Sequence, residues 1–289
     1  MKTIKKFGLA GVFMALIALS ACTKNDLSPN TEDTALATDN ARMDNESDNI
    51  GTVINAIAYS NNLSDVAQKL DGAGKIFGNV TLPECAVVTV DTVSNPKSIT
   101  VNFGSTPCLC DEWDGMYRQG VVKATWTGNY KESGTVITIT TTDYYRGSTA
   151  DQMDKIEATK VVTNIGPNAN GNFQFHIVAT IKIYYFTGET SDWNVDKIKE
   201  WSEGQFTADI NDDVFVITGT VNGTNRNGLP VSGTITTPIV KNSCDWYVSG
   251  VMEIIRGNFP KITLDYGNGT CDDQATVTVN GNTKTITLK

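Results

Sequence analysis

One histidine, His176, serves the whole chain, and this bounds its hydrolytic chemistry. A Ser-His-Asp or Cys-His machine needs a buried imidazole oriented by a third group. Alternation along 173–185 instead puts His176 on the water-facing side of a strand, with Gln174, Thr180 and Lys182. The sequence holds no Gly-x-Ser-x-Gly elbow, no His-Glu-x-x-His pair and no glycine-rich phosphate loop before a helix. Carboxylates are the remaining source of acid–base chemistry. Asp143, Asp209, Asp213 and Glu253 fall on or beside strand-like runs. Two such groups facing each other across about 5–10 Å would suit hydrolysis of a glycosidic bond.

No cofactor is expected, and no metal site. The nearest approach to one is Asp111, Glu112 and Asp114, which crowd oxygen ligands of the kind Ca²⁺ takes but lack the alternating Asp-x-Asp-x-Asp spacing. Cys108-Leu109-Cys110 with a lone histidine is no zinc set. Trp113, between those acids, is a candidate glycan contact, and Trp193, Trp201 and Trp246 could add stacking surfaces. Aromatics on sheets more often pack across strands.

The elements that must position these residues are mostly strands. From residue 79 onward Thr, Val, Ile and aromatics dominate, with Gly/Asn/Asp clusters at intervals near ten residues. Strands are expected at 99–103, 121–127, 136–142, 156–162, 173–185, 204–210, 215–221, 231–237, 247–255, 262–265, 275–279 and 282–288, the last two joined by an Asn280-Gly281 turn. The expected fold is all-β and antiparallel, a sandwich-like or extended twisted sheet of roughly a dozen strands, too many for a flat one. Residues 50–78 show helical spacing at Val53, Ile54 and Ile57 and again at Leu63, Val66 and Leu70. Residues 23–49 carry seven Asp/Glu against two Lys/Arg and show no apolar period. With Cys22 they are expected to form a disordered acidic tether, 22–49.

One phrase is written twice: Ile99-Thr-Val-Asn-Phe-Gly104 and Ile262-Thr-Leu-Asp-Tyr-Gly267, each followed by a cysteine, Cys108 and Cys271. Each copy has an upstream cysteine, Cys85 or Cys244, and a Pro-Lys pair between. Two antiparallel strands with a Cys near each open end can be stapled there, a loop of this size contributing about 3 kcal/mol. The repeat units, about 85–110 and 244–271, predict Cys244 paired with Cys271 and Cys85 paired with Cys108 or Cys110. Spacing after the glycine favours Cys108; the Asp that follows Cys110, as Asp272 follows Cys271, favours Cys110.

The N-terminus gives the address. Lys2, Lys5 and Lys6 precede an uncharged run from Phe7 to Leu19, too short to span a bilayer and suited to a secretory signal. Leu19-Ser20-Ala21-Cys22 resembles a bacterial lipobox. The resemblance implies a signal peptide over 1–21, removed before Cys22, and acylation of Cys22, an anchor without a membrane span. With these segments, the stapled units and Asp265-Tyr266-Gly-Asn-Gly-Thr-Cys271, the chain is similar to uncharacterised exported β-rich lipoproteins of Bacteroidota. That likeness implies cell-envelope residence, most simply at the outer membrane, and transfers no functional residue beyond Cys22. Loss of three lysines takes the net charge from −9 to −12, which argues against nucleic-acid partners. The sequence therefore points to an envelope lipoprotein with a non-enzymatic binding or structural β-domain. Its partners would be the bilayer through Cys22 and a glycan or envelope protein. A polysaccharide-acting enzyme with a carboxylate pair, and an adhesin or assembly subunit, are the alternatives.

Overall fold

A computed structural model describes residues 29–60, 84–111, 114–207 and 211–288. The helix α1 (Thr31–Ser60) comes first, followed by the strands β1 (Val87–Asp91), β2 (Lys97–Asn102), β3 (Cys108–Cys110), β4 (Met116–Trp126), β5 (Val136–Gly147), β6 (Met153–Pro167) and β7 (Phe173–Tyr184). The chain continues through β8 (Thr190–Glu203), β9 (Val214–Thr224), β10 (Pro230–Lys241), β11 (Ser249–Arg256), β12 (Ile262–Asn268), β13 (Gln274–Val279) and β14 (Asn282–Thr287). All fourteen strands belong to one antiparallel sheet in chain order, except that β3 lies off the path and pairs with β4. The extended single sheet is thus the form adopted, and it is not closed into a barrel.

A sheet of this width must curl, and its strand interiors carry the means. Gly120 on β4 has φ +85°, and a Cβ there would lie 1.9 Å from the Asp143 carbonyl oxygen of β5. Asp143 itself has φ 43°, and the register breaks on both sides of it, between Gln119 and Val121 and between Thr140 and Tyr145. Glycine and bulge together let two backbones approach and turn a corner.

Alternation along each strand sends one set of side chains inward. On β7 these are Phe175, Ile177, Ala179, Ile181 and Ile183, and on β12 Ile262, Leu264 and Tyr266, all buried. The inner face wraps α1, which touches β2, β4, β7, β12, β13 and β14. Leu36, Ala37, Met43, Ile50, Val53 and Ile54 supply the helix's share of the core.

The helix is also acidic, and here the structure corrects the expected tether. Residues 31–49 are helical and largely buried, because each of the six carboxylates of α1 meets a base from a strand or turn of the sheet. Arg256 of β11 holds Glu32 and Asp33 at 3.0 and 2.6 Å. Arg226 holds Asp39, Lys197 of β8 holds Asp44, and Arg146 of β5 holds Glu46 at 2.9 Å. Lys160 of β6 lies 3.8 Å from Asp48 and donates to the Ser47 carbonyl at 3.0 Å. The signs invert once: Arg42, the helix's base, pairs with Asp154 of β6. Asn30 caps the helix, accepting from the Asp33 N–H at 2.9 Å while Asp33 accepts from the Asn30 N–H at 3.0 Å. Residues 50–60 continue the same helix as the sequence reading expects; 61–78 lie outside the described residues.

Inward bases also explain a strand that sequence alone does not reveal. β8 carries Asp192, Asp196, Lys197, Lys199 and Glu200 and reads as charged loop, yet Lys197 and Lys199 point inward and are buried. Where a strand is expected over 204–210, residues 204–207 are a turn and 208–210 lie outside the described residues.

The repeated phrase is a structural device. Disulfides join Cys85 to Cys108 and Cys244 to Cys271, with Cα atoms 6.0 and 5.5 Å apart. In each copy the Asn/Asp side chain accepts from the glycine N–H two residues on: Asn102 from Gly104 at 2.8 Å, Asp265 from Gly267 at 2.9 Å. Both glycines have positive φ, +82° and +99°, which this turn asks for. The aromatic between, Phe103 or Tyr266, is buried. Among the described residues Cys110 is the free thiol, buried beside Arg118; burial pushes it up, against the pull of the guanidinium. The Cys110 peptide is therefore expected to resist alkylation in the native protein and to label fully in denaturant, as mass spectrometry would show. Rapid native labelling would contradict the buried placement.

Candidate functional site

The outer face of β5–β8 holds an open groove of about 550 Å³. Its floor is the backbone around Ala158, Ile181 and Trp193, residues whose side chains belong to the inner face. The residues between them in sequence must then point out: Lys155, Glu157 and Thr159 on β6, Thr180 and Lys182 on β7, Asp192 and Asn194 on β8. The bulge at Asp143 shapes one wall. There the Thr141 hydroxyl donates to the Ile156 carbonyl and accepts from the Ala158 N–H, both at 2.8 Å, filling the gap in the ladder.

Two rows cross the groove. In one, Glu157 faces Lys182 across β6–β7 and Lys182 faces Asp192 across β7–β8. Lys155 adds contacts to Asp143 at 3.3 Å and Glu157 at 3.0 Å, and Lys182 lies 3.6 Å from Asp192. The Tyr184 hydroxyl donates to Glu157 at 3.0 Å. Lys155 and this hydroxyl hold Glu157 below the usual carboxylate range. The second row is uncharged: Thr140, Thr159, Thr180, Asn194 and Asn222 stand opposite one another on five successive strands, the middle three lining the groove. Strand spacing sets their pitch at about 4.8 Å. Three carboxylates share two ammonium groups along the groove, so each acid has a basic neighbour, one net negative charge remains, and hydroxyl and amide groups are left to meet a ligand.

The sequence candidates fall in several places. Asp143 joins this groove. Glu253 sits on β11, paired with Lys261 at 2.6 Å. Asp213 is buried and accepts from the Trp201 indole N–H at 3.0 Å; Asp209 lies outside the described residues. Among the described carboxylates of that set, no two face each other across the groove. His176 lies on the outer face as parity requires, 2.8 Å from Asp196.

Of the three acids weighed as oxygen ligands, Asp114 is held by arginines. Both its oxygens accept from Arg118, at 2.8 and 2.6 Å, and Arg146 approaches to 3.5 Å. Burial would raise this carboxyl, but the two guanidinium groups hold it low. They occupy the oxygens a cation would need. Asp111 is exposed; Glu112, Trp113 and Cys22 lie outside the described residues. Trp193 and Trp201 are 2% and 1% exposed, core side chains and not stacking surfaces, while Trp246 is half-buried against the core.

Sequence reading missed the groove because a bulge, and not a motif, creates it. Comparison with protein-family models, curated proteins and solved structures returns no match.

Proposed function

We propose that the chain is a cell-envelope lipoprotein, anchored by acylated Cys22 at the outer membrane, whose β-domain binds a neutral polyhydroxylated ligand without turning it over. An oligosaccharide or glycan chain fits that chemistry. The observation that carries this reading is the uncharged row of Thr and Asn in a groove where each acid already has a basic neighbour. Hydroxyls and amides can each donate and accept, as a sugar hydroxyl does. Lys155 and Tyr184 lower the Glu157 carboxyl, which does not suit it to the general-acid role of a carboxylate pair.

The test is a glycan-binding screen of the full chain beside the triple variant Thr159→Val, Thr180→Val, Asn194→Ala. Each lost hydrogen bond contributes about 0.5–1.5 kcal/mol. The variant is therefore expected to bind at least about tenfold more weakly, while a Thr263→Val control on β12 binds as the parent does. Equal binding by all three proteins would remove the groove from consideration. Hydrolysis of any glycan by the parent would overturn the non-enzymatic reading.

A further inference from the structure

The first turns of α1 lie at one end of the sheet. Glu32 and Asp33 meet Arg256, the last residue of β11. Asp39 meets Arg226 in the β9–β10 turn. Arg42 meets Asp154 near the start of β6 and lies 5.3 Å from the centre of the Tyr185 ring, where the β7–β8 turn begins. Because the strands run in chain order and alternate in direction, these turns share one end. At that end two turn residues are large, aromatic and exposed, Phe186 at 54% and Phe259 at 49%. Neither is loose: the Phe186 N–H donates to Asp154 at 2.7 Å, and Arg256 stands 4.4 Å above the Phe259 ring.

Nine peptide steps separate Cys22 from Thr31, which reach about 30 Å when fully extended. The far ends of strands 11–15 residues long, such as β4 and β6, lie roughly 35–50 Å further on. An anchor at Cys22 therefore keeps the Phe186–Phe259 end near the bilayer. Aromatic side chains beside arginine stems suit the headgroup boundary, apolar on one side and polar on the other. The opposite end also exposes apolar residues, Val93 and Phe206, but α1 does not begin there.

We infer that the end of the sheet bearing Phe186 and Phe259 is a bilayer-docking surface, seated in the headgroup layer of the membrane that holds Cys22. This rests on the lipoprotein reading above. The acylated full chain would be reconstituted in phosphatidylcholine vesicles with or without brominated acyl chains. Phe186→Trp and Phe259→Trp would be compared with Phe206→Trp and with the parent. Bromine is expected to quench most of the emission added by the first two substitutions and little of that added by the third. If protein floats with the vesicles but the added emission is unquenched, or all three are quenched alike, the docking surface is wrong while the anchor stands. If the parent fails to float, or Cys22→Ala floats equally well, the anchor itself is wrong and the docking surface falls with it.

Discussion

Lys197→Met is expected to lower the free energy of unfolding by about 3–5 kcal/mol, the usual cost of stranding one partner of a buried ion pair. Lys197 and Asp44 are 5% and 4% exposed in their side chains and pair with each other between β8 and α1. Met fills the space of the lysine stem, so cavity formation contributes little and the isolated carboxylate carries the loss. Burial already pushes the Asp44 carboxyl above its ordinary value, with Lys197 opposing the rise. Removing Lys197 lifts it further. A carboxyl raised in the folded state contributes stability below its unfolded pKa that is lost as pH rises through the folded one. The deficit of the variant is therefore largest near neutrality and narrows on acidification. Adding Asp44→Leu should recover most of the loss, since an apolar pair in place of a buried ion pair is often neutral or better. Urea titrations of the two single variants, the double variant and the parent at neutral and acidic pH give both comparisons. A loss under about 1 kcal/mol for Lys197→Met would mean that α1 is not held as described.

Trp201→Ala should be equally damaging, at about 3–5 kcal/mol. Its ring stacks on Phe215 with centroids 5.6 Å apart, Lys131 stands 4.9 Å over it, and its N–H serves Asp213. The sequence admits Trp201 as a sugar-stacking surface, and the two roles separate cleanly in experiment. A core residue costs stability wherever the protein is measured. A contact residue would leave the unfolding transition unmoved and weaken ligand binding alone, and that outcome would contradict the burial of this side chain.

What could be read in advance followed from local rules. Alternation exposes β7 and the water-facing side of His176, and the doubled phrase announces two stapled hairpins. It stops short at the choice between Cys108 and Cys110, since both sit on the buried side of β3 and parity cannot separate them. What escaped was complementarity between distant segments. Asn30 and Asp33 carry a capping signal, but residues 31–49 have no apolar period from which to extend it, and their acids read as solvated until the sheet's bases are in place. β8 failed for the same reason in mirror image: Lys197 and Lys199 break its alternation because the surface they face is an acidic helix. The groove depends on a bulge at Asp143, which no residue type announces.

The contacts of α1 also set an order of assembly. Asp33 meets Arg256 across 223 positions of chain, Asn40 meets Met252 across 212, and Asp44 meets Lys197 across 153. Loops this long close late, because their entropy must be overcome before any contact offsets it. The segment synthesised near the beginning of the chain is thus among the last to find its partners. A stretch this acidic tolerates that wait in water until β12, β13 and β14 complete the wall that receives it.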